Sequence, residues 1–384
     1  MAESERTADI IIIGGGIMGL CLAYYLTQLG SLKISLLEKD LLAQASTGLS
    51  VGGIRQQFSH PSNIRLSQMT LELFSRFEEA FGRSLEFHKV GYLFLVEQEQ
   101  TWKFFQENVR TQLELGVPVE VLSPHEIRSR WPFLNTEGIQ GGTFCAEDGY
   151  ADPYSVAMAF AKAARTLGVS IQENTRVLEV RTGSGRVQGI RTSKGDMAAP
   201  IVINTAGAWA AELAATAEIQ LPVKPYRRQV YVTRRFDCLP KPLPLIIDQD
   251  SLSYFRSEGE GILMGQTDPG EPSSFHTHVD RDFLEHLIEA VTRRAPLLAQ
   301  AEILRGWGGL YAVTPDENPI IGRLGELDGF YGAVGFSGHG FQHGPAVGRL
   351  LSELILSGET NFDLRPFTHC RFARPAGAGE KRTV

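Results

Sequence analysis

Cysteine is scarce in this chain of 384 residues, which contains four: Cys21, Cys145, Cys238 and Cys370. They lie far apart, and no two of them have CxxC spacing. The sequence therefore indicates neither a disulfide framework nor a zinc site. We expect four reduced thiols.

The chain also lacks an excess of positive charge and a long unbroken apolar run. Its formal net charge is −7, which argues against nucleic acid as the main partner. The longest apolar stretch, residues 10–26, is interrupted by four glycines and does not suit a membrane span. Residues 1–9 carry three acidic side chains and one arginine, unlike a signal peptide or a mitochondrial presequence. We therefore expect a cytoplasmic protein.

Hydrophobic residues make up 43% of the chain, which excludes a disordered protein and suffices for the cores of two ordinary domains. No internal repeat, low-complexity block or linker divides the sequence. We therefore expect two domains that are interleaved along the chain.

A βαβ unit is predicted at the start of the chain. Residues 9–13 form a short apolar run typical of a strand covered on both faces, and residues 33–38 predict the next strand. Between them, apolar side chains from Met18 to Leu29 recur at helical spacing, and Gly30 is placed to end the helix.

The turn between this strand and helix, Gly14-Gly15-Gly16-Ile17-Met18-Gly19, fits the GxGxxG pattern. Its glycines allow a tight turn, the approach of a pyrophosphate and close helix–strand packing. Glu38 ends the next strand, where a carboxylate would accept ribose hydroxyls. A glycine-rich turn without chemical importance is the alternative, but the strand, the helix and the acidic residue all favour a dinucleotide site.

The order of the segments favours FAD over a nicotinamide cofactor. After Glu38 the chain leaves the nucleotide fold through a small-residue loop, residues 43–53, and returns at 201–209 and 330–357. Three distant segments serving one nucleotide fold suit FAD, which is longer and needs cover for its ring. A nicotinamide dehydrogenase remains the alternative.

Further elements follow from periodicity and turn residues. The sequence predicts helices at 63–81, 97–115, 154–167 and 280–294, a last helix from near Pro345, and strands at 88–96, 169–180, 186–192, 201–204, 229–233 and 330–334.

The glycine-rich segment at 335–345, GFSGHGFQHGP, opens the last predicted helix. Its backbone N–H groups and the positive end of the helix dipole would stabilise negative charge on a flavin ring. His339 and His343 are four residues apart, but a zincin-type pair lies on a continuous helix with a glutamate between the histidines, so we predict no metal site. His276 and His278 lie in a polar loop and are expected to be solvated.

Five segments spread over the chain form a recognisable set. They are DIIIIGGGIMG (9–19) with Glu38, Ala45-Ser46-Thr47 with GGIRQQF (52–58), NTAGAW (204–209), YAVTPDENPIIG (311–322) and GFSGHGF (335–341). Together they resemble the D-amino-acid oxidase-like FAD superfamily, in particular its sarcosine oxidase, glycine oxidase and proline and dimethylglycine dehydrogenase branch. Segment 46–59 is also similar to a FAD-dependent oxidoreductase domain protein linked to complex I assembly.

The resemblance implies an α/β fold in which a Rossmann-like FAD-binding domain is interleaved with an antiparallel-sheet substrate domain. The implied FAD-binding domain comprises 1–84, 145–221 and 313–384, and the substrate domain comprises 85–144 and 222–312. The expected cofactor-binding residues are Gly14, Gly16, Ile17, Met18, Gly19, Glu38, Lys39, Ala45, Ser46, Thr47, Val177, Ala206, Gly207, Trp209, Gly338, His339, Gly340, Phe341 and Gln342.

The resemblance also implies the substrate site. Arg55 aligns with the arginine that holds the substrate carboxylate in relatives, a suitable role because its planar fork matches a carboxylate. An ordinary ion pair is the alternative for Arg55, and a buried structural tyrosine is the alternative for Tyr254. We expect Arg55, Tyr254 and Gln342 to bind substrate, and His339 and Tyr254 to be catalytic.

Three departures from the family pattern refine the prediction. Gly309 replaces the cysteine that attaches flavin in some sarcosine oxidases, and residues 43–53 contain no histidine for attachment, so the FAD should be noncovalent. Leu263 aligns with a lysine that promotes oxygen reduction, which favours a dehydrogenase over an oxidase. Gln342 replaces a second carboxylate-binding lysine and can donate a hydrogen bond without charge.

The sequence thus predicts a flavin-dependent amino acid or amine dehydrogenase acting on a secondary or N-alkylated amino acid. Hydride transfer from Cα to flavin N5 would leave an imine. The expected partners are this small molecule and an electron acceptor, which a partner subunit could provide. The alternative is a flavin-binding assembly or scaffold protein with little turnover.

Overall fold

Two large β-sheets organise the chain in the computed structural model, which describes residues 6–373. Residues 1–5 and 374–384 lie outside the described residues, together with the two ends of the predicted FAD-binding domain that fall on them. The helices are α1 (Ile17–Leu29), α2 (Pro61–Ser75), α3 (Phe77–Phe81), α4 (Glu99–Glu114), α5 (Pro124–Arg130), α6 (Pro153–Thr166), α7 (Ala210–Ala215), α8 (Arg281–Arg294) and α9 (Gly340–Ser357).

Most strands are short, and they fall into groups that alternate with these helices. They are β1 (Arg6–Thr7), β2 (Ile10–Ile13), β3 (Ile34–Leu37), β4 (Gly53–Ile54), β5 (Tyr92–Val96), β6 (Val119–Leu122), β7 (Gly141–Cys145), β8 (Gly149–Tyr150), β9 (Ser170–Gln172), β10 (Val177–Gly183), β11 (Arg186–Thr192), β12 (Gly195–Ala198), β13 (Ile201–Asn204), β14 (Lys224–Thr233), β15 (Leu245–Asp248), β16 (Ser253–Glu258), β17 (Gly261–Gln266), β18 (Ile303–Val313), β19 (Ile320–Arg323) and β20 (Phe330–Val334).

The first large sheet has six strands in the order β19-β20-β13-β2-β3-β9, parallel except for the β19–β20 pair. Its central strand β2 is isoleucine throughout. Ile10 and Ile12 enter one core cluster, whereas Ile11 and Ile13 enter another. Successive side chains of a strand point to opposite faces, so both faces of this sheet are covered, as the apolar run predicted.

The second large sheet has eight strands in the order β18-β14-β17-β16-β15-β5-β7-β6. Its pairs are antiparallel except for β15 with β5. One face packs on α8, where Phe255 and Leu287 share a core cluster. The opposite face carries Tyr92, Tyr254 and Leu263 in a separate cluster. The predicted α/β class, with a Rossmann-like sheet and a mainly antiparallel one, is confirmed.

The two sheets draw their strands from alternating stretches of chain. The six-stranded sheet uses strands within 10–37, 170–204 and 320–334, and the eight-stranded sheet uses strands within 92–145 and 224–313. The predicted domain boundaries follow this alternation closely, and they remain our proposal for the division of the chain.

Several predicted elements have different limits in the structure. The helix predicted at 63–81 is two helices, because Arg76 adopts a non-helical backbone with φ −115° and ψ 19°. The strand predicted at 88–96 begins only at Tyr92. The last helix begins at Gly340 and contains Pro345, so the prediction of a start near Pro345 was wrong. Proline there is tolerated because it costs one hydrogen bond close to the helix start. Within residues 6–373, no helix is long and apolar enough to cross a membrane.

Candidate functional site

A cavity of about 400 Å³ lies at the carboxyl ends of the parallel strands β2, β3, β13 and β20. Open α/β sheets bind their ligands at this edge. The loops that follow the four strands supply much of its lining. The predicted cofactor residues that line it are Gly14, Gly16, Ile17, Met18, Glu38, Lys39, Ala45, Ser46, Thr47, Val177, Ala206, Gly207, Trp209, Gly338, Gly340 and Phe341.

The glycines of the first turn are sterically required. Gly14 has φ +116°, and a Cβ atom on it would lie 2.5 Å from the carbonyl oxygen of Thr205. A Cβ atom on Gly19 would overlap the carbonyl oxygen of Gly14. Gly19 does not line the cavity; its smallness lets α1 approach the turn closely.

The amino end of α1 suits a bound pyrophosphate. Its first turn, residues 17–20, carries no acidic side chain. The Thr47 hydroxyl accepts a hydrogen bond from the Ile17 N–H at 3.0 Å, which fixes the 45–47 loop against the helix. The positive end of the α1 dipole therefore faces the cavity, and no carboxylate in the first turn of α1 opposes the binding of a negatively charged group.

Glu38 is held in a defined orientation at the end of β3. Its Oε2 accepts the Gly15 N–H at 2.7 Å, and its Oε1 accepts the Asp40 N–H at 2.9 Å. Because a carboxylate oxygen has two lone pairs, each oxygen can accept a further hydrogen bond from a ligand hydroxyl. Beside it, the Lys39 ammonium lies 3.4 Å from the centre of the Trp209 ring, so the two side chains form one wall.

At the other end of the cavity, loops from both sheets meet. Ser46 Oγ donates to the Leu310 carbonyl at 2.7 Å, and the Ser337 N–H donates to the Ala312 carbonyl at 2.9 Å. Gly338 has φ +100°, and a Cβ atom on it would lie 2.5 Å from the Tyr311 ring. The glycine-rich segment before α9 therefore packs closely on β18.

Arg55, His339 and Gln342 form a buried group beside this cavity. The Arg55 N–H donates to Gln342 Oε1 at 2.7 Å, and Arg55 Nη2 lies 3.2 Å from His339 Nε2. The Arg55 side chain is 3% exposed, and its guanidinium carbon lies 4.5 Å from the centre of the Phe58 ring. His339 and Gln342 were predicted to touch the cofactor; in the structure both contact Arg55, and neither lines the cavity.

Both histidines of the last segment are neutral at ordinary pH. Burial, the Arg55 charge and His343 hold the pKa of His339 well below its usual value. Burial and the Arg55 charge lower the pKa of His343 to about 3. His343 Nε2 lies 3.2 Å from Ser67 Oγ, and the His343 ring is fully buried. Protonation of a histidine beside an arginine is unfavourable because the two positive charges repel each other.

Tyr254 lies on the face of the eight-stranded sheet opposite α8, in the cluster that contains Tyr92 and Leu263. It pairs with Gly265, which pairs in turn with Val230, two residues from Arg228 on β14. Paired strand residues share a face and alternate residues return to it, so Arg228 and Tyr254 are on the same side. Burial raises the pKa of Tyr254 above its usual range, so its hydroxyl stays protonated.

Sequence reasoning missed three side chains near this face. Tyr311 lines the cavity, and the centre of its ring lies 5.1 Å from the guanidinium carbon of Arg228. Asp148 is buried behind the Arg55 segment. Tyr311 stands within a segment that carried the family resemblance, and the alternation along β14 could have indicated Arg228. No pattern in the sequence pointed to Asp148.

The positions that bear on flavin attachment and oxygen use, Gly309 and Leu263, are each paired across the sheet with an arginine, Arg228 and Arg256 respectively. Gly309 lies on β18, where a Cβ atom would be 3.3 Å from Leu49 Cβ. Leu263 is buried in the cluster that contains Tyr254 and Val232. His276 and His278, predicted to be solvated, lie in an exposed loop with ring centres 4.8 Å apart.

Comparison with known proteins decides the family. The profile of the DAO family, described as FAD dependent oxidoreductase, matches residues 9–354. The chain belongs to this family. It is 33% identical to FAD-dependent oxidoreductase domain-containing protein 1 of Xenopus laevis, over 95% of this chain and 82% of that protein. It is 30% identical to mitochondrial dimethylglycine dehydrogenase of Rattus norvegicus, over 94% of this chain but 44% of that protein.

Solved structures of DAO-type enzymes match almost the whole chain. L-proline dehydrogenase from P. horikoshii superposes with a TM-score of 0.89 and 33% identity, over 96% of this chain and 99% of that one. Glycine oxidase from Geobacillus kaustophilus gives a TM-score of 0.85 and 25% identity, over 95% and 99% of the two chains. The predicted family and the FAD cofactor are confirmed, and the chain is a flavin-dependent oxidoreductase.

The residues of the cavity fit FAD. The glycine turn and the amino end of α1 would hold the pyrophosphate, and Glu38 would hold the ribose. Beside the cavity, His339 Nδ1 is a buried atom with no hydrogen-bond partner among residues 6–373. Because arginine only donates, His339 Nε2 must accept from Arg55, and the ring proton is on Nδ1. This buried donor has an unfilled hydrogen bond that an acceptor atom of the cofactor or the substrate would fill.

Proposed function

We propose that this DAO-family enzyme oxidises the Cα–N bond of an amino acid whose amine is secondary or N-alkylated. The observation that carries the proposal is the buried Arg55 beside the cofactor cavity, whose guanidinium contacts His339 and whose backbone N–H donates to Gln342. Arginine meets a carboxylate with two parallel hydrogen bonds, so it fixes both the position and the orientation of an amino acid. The relatives support this substrate class, since their names include dimethylglycine and L-proline dehydrogenases.

In the proposed reaction, the side chains would position the substrate and would not need to act as acids or bases. When bound, FAD supplies the acceptor for the hydride that leaves the substrate Cα. The chain contributes Arg55 as the carboxylate anchor and a buried site that favours the neutral amine, whose lone pair assists loss of the hydride. The imine that forms is hydrolysed by water. Neutral His339 keeps Arg55 in place by accepting its hydrogen bond, and Tyr254 covers the substrate as a protonated phenol.

Dehydrogenase activity is favoured over oxidase activity. A cation close to a flavin stabilises the superoxide anion, and Leu263 offers none at the position that aligns with the oxygen-activating lysine. Arg256, which pairs with Leu263 across the sheet, donates to the Glu258 carboxylate and to the Val51 carbonyl. We therefore propose a dye, quinone or protein acceptor in preference to oxygen.

The flavin is proposed to be noncovalent. Gly309 has no side chain to form a thioether, and the loop at 43–53 contains neither histidine nor cysteine. Gly309 precedes Leu310, which lines the cavity, and Ala43 to Thr47 of the loop line it as well.

A second candidate is a flavin-binding assembly protein with little turnover. It is supported by the similarity to FAD-dependent oxidoreductase domain-containing protein 1, which extends over 95% of this chain. The candidate predicts an intact FAD site that amino acids do not reduce.

Anaerobic reduction of the bound flavin separates the two candidates. The holoenzyme is mixed without oxygen with proline, sarcosine, dimethylglycine, glycine and their amides, and the flavin absorbance is followed. We expect bleaching by at least one secondary or N-alkylated amino acid and none by its amide. Lack of bleaching by every compound would favour the assembly protein.

A further inference from the structure

A fully buried carboxylate lies directly behind the Arg55 segment. Asp148 is 0% exposed and occupies the turn between β7 and β8. Its Oδ1 accepts the Gln56 N–H at 3.0 Å and the Gln56 side-chain amide at 3.3 Å. Its Oδ2 accepts the Gln57 side-chain amide at 3.1 Å. Gln56 and Gln57, the two residues after Arg55, are therefore both hydrogen-bonded to the Asp148 carboxylate.

Asp148 completes the support of the Arg55 backbone. The N–H of Arg55 itself donates to Gln342, so the N–H groups on both sides of the Arg55 Cα have side-chain acceptors. Just before Arg55, the β4–β8 pair joins Ile54 to Gly149, the residue after Asp148. The direction in which the arginine leaves its backbone is thus set by contacts from three elements.

Two opposing effects act on the Asp148 carboxyl group. Its hydrogen-bond partners, the Gln56 N–H and the side chains of Gln56, Gln57 and Cys145, all donate to it and favour its ionised form, whereas burial favours its protonated form. A carboxylate accepts such bonds more strongly than an amide oxygen does. An asparagine keeps the shape of the side chain, but its amide oxygen would hold the Gln56 N–H less firmly. Its NH2 group would also face the Gln57 amide nitrogen, which is fixed by donating to the Tyr92 carbonyl at 3.2 Å.

We propose that Asp148 is a positioning residue for recognition of the substrate carboxylate. Its hydrogen bond with the Gln56 N–H fixes the Arg55 backbone, so that the guanidinium can donate two parallel hydrogen bonds to the substrate carboxylate. The proposal rests on the proposed function, in which Arg55 is the carboxylate anchor. It assigns to Asp148 an effect on carboxylate affinity, with FAD binding left unchanged.

The test uses two ligands of almost equal shape that differ in charge. Pyrrole-2-carboxylate and pyrrole-2-carboxamide are titrated into the oxidised holoenzyme, and the flavin absorbance reports binding. In Asp148→Asn, we expect the carboxylate Kd to rise about tenfold, the loss expected for one weakened charge-assisted hydrogen bond, while the carboxamide Kd stays the same.

Asp152→Asn is the matched control. It makes the same change in charge four residues away, at the exposed cap of α6, where Asp152 accepts the Ser155 N–H at 2.9 Å. We expect both Kd values of this variant to equal those of the wild type. The FAD content of all three proteins, measured from the absorbance ratio, should also be equal.

Each result has a defined meaning. If Asp148→Asn keeps the full preference for the carboxylate, or loses affinity for both ligands equally, the inference is overturned and the proposed function is untouched. If the wild-type holoenzyme does not prefer the carboxylate, the anchor role of Arg55 fails and the inference fails with it.

A measurement on the wild type alone decides the matter if Asp148→Asn does not fold. Burial raises the pKa of Asp148 to about 6, against the opposing hydrogen bonds of Gln57, Gln56 and Cys145. Protonation weakens its acceptance of the Gln56 N–H, so the carboxylate Kd should rise below pH 6 while the carboxamide Kd does not. A carboxylate Kd that stays constant or falls from pH 8 to pH 5 contradicts the proposal.

Five neighbouring groups do not titrate in that interval. Burial raises the pKa values of Tyr92 and Cys145, which keeps both protonated. His339 and His343 stay neutral because their pKa values are lowered, and the Arg55 guanidinium stays charged. The His88 ring stacks on Tyr150, two residues from Asp148, so the titration is repeated in His88→Gln. A change near pH 6 that persists in this variant reports Asp148.

Discussion

Arg55 Nη2 lies 3.2 Å from His339 Nε2, in a buried pair that joins the segment before α2 to the segment before α9. The contact fixes the histidine tautomer, because arginine has no acceptor to offer. Burial is the main cause of the strongly lowered pKa of His339, and the contact adds to it, since a second positive charge beside Arg55 would be repelled. The pair places a permanent cation beside the FAD cavity.

Replacement of Arg55 by methionine should abolish recognition of the carboxylate. Removal of one partner of a desolvated charge pair costs about 3–5 kcal/mol, so kcat/KM for an amino acid should fall at least a hundredfold. FAD binding should be unchanged, because Arg55 lies beside the cofactor cavity and does not line it. Arg55→Lys, which keeps the charge but not the fork, should lose less. Wild-type kcat/KM in Arg55→Met would show that Arg55 is structural.

Glu38→Ala should weaken FAD binding by roughly a hundredfold, the equivalent of two charge-assisted hydrogen bonds to the ribose. The variant also releases the Gly15 N–H, which Glu38 accepts at 2.7 Å. Flavin reduction in the remaining holoenzyme should be nearly normal, because the ribose lies far from N5. Equilibrium dialysis gives the FAD affinity, and Asp40→Ala, an exposed acid two residues away, is the control. An FAD affinity equal to wild type would remove Glu38 from the site.

Acid precipitation should release all of the flavin. The expectation rests on Gly309 and on the absence of histidine and cysteine from residues 43–53. The holoenzyme is precipitated with trichloroacetic acid, and the flavin absorbance is measured in the supernatant and in the redissolved pellet. Yellow colour in the washed pellet would reveal an attachment site that we have not identified.

The buried histidines predict a fall in stability with falling pH. His343 has a pKa of about 3 in the fold, lowered chiefly by burial, and an ordinary pKa of about 6.5 when unfolded. The unfolded chain therefore binds the proton first, and the free energy of unfolding decreases as the pH drops below 7. His339 acts in the same direction. Asp148 opposes them, because its raised pKa lets the fold take up a proton near pH 6.

Urea unfolding of the holoprotein at pH 7.5 and pH 5.5 measures this effect. We expect lower stability at pH 5.5, and a clearly smaller difference in His343→Gln. His278→Gln, in the exposed loop, serves as the control and should match the wild type. An equal pH dependence in wild type and His343→Gln would mean that His343 can be protonated in the fold.

The nucleotide half of the molecule could be predicted from the sequence because its requirements are local. The turn at Gly14–Gly19 and the carboxylate of Glu38 are read from neighbouring residues, and the structure places them along one cavity. The start of α9 was missed because proline is favoured at the first helical position, and Pro345 was taken as that signal. The glycines before it are instead part of the helix start.

The substrate half could be predicted only through the family resemblance. The contact of Arg55 with His339 spans 284 residues of sequence, and that of Gln56 with Asp148 spans 92. Nothing local to either residue indicates such a partner. The register of the eight-stranded sheet, which brings Arg228 and Tyr254 to one face, likewise depends on pairings between distant strands.

The most direct test of the central claim is the rate of anaerobic flavin reduction in a stopped-flow instrument. The amino acid that bleaches the holoenzyme fastest is compared with the same compound deuterated at Cα. Hydride transfer from Cα predicts a rate that saturates with substrate and is clearly slower for the deuterated compound. Saturating reduction at equal rates with both compounds, or no reduction by any amino acid, would contradict the account.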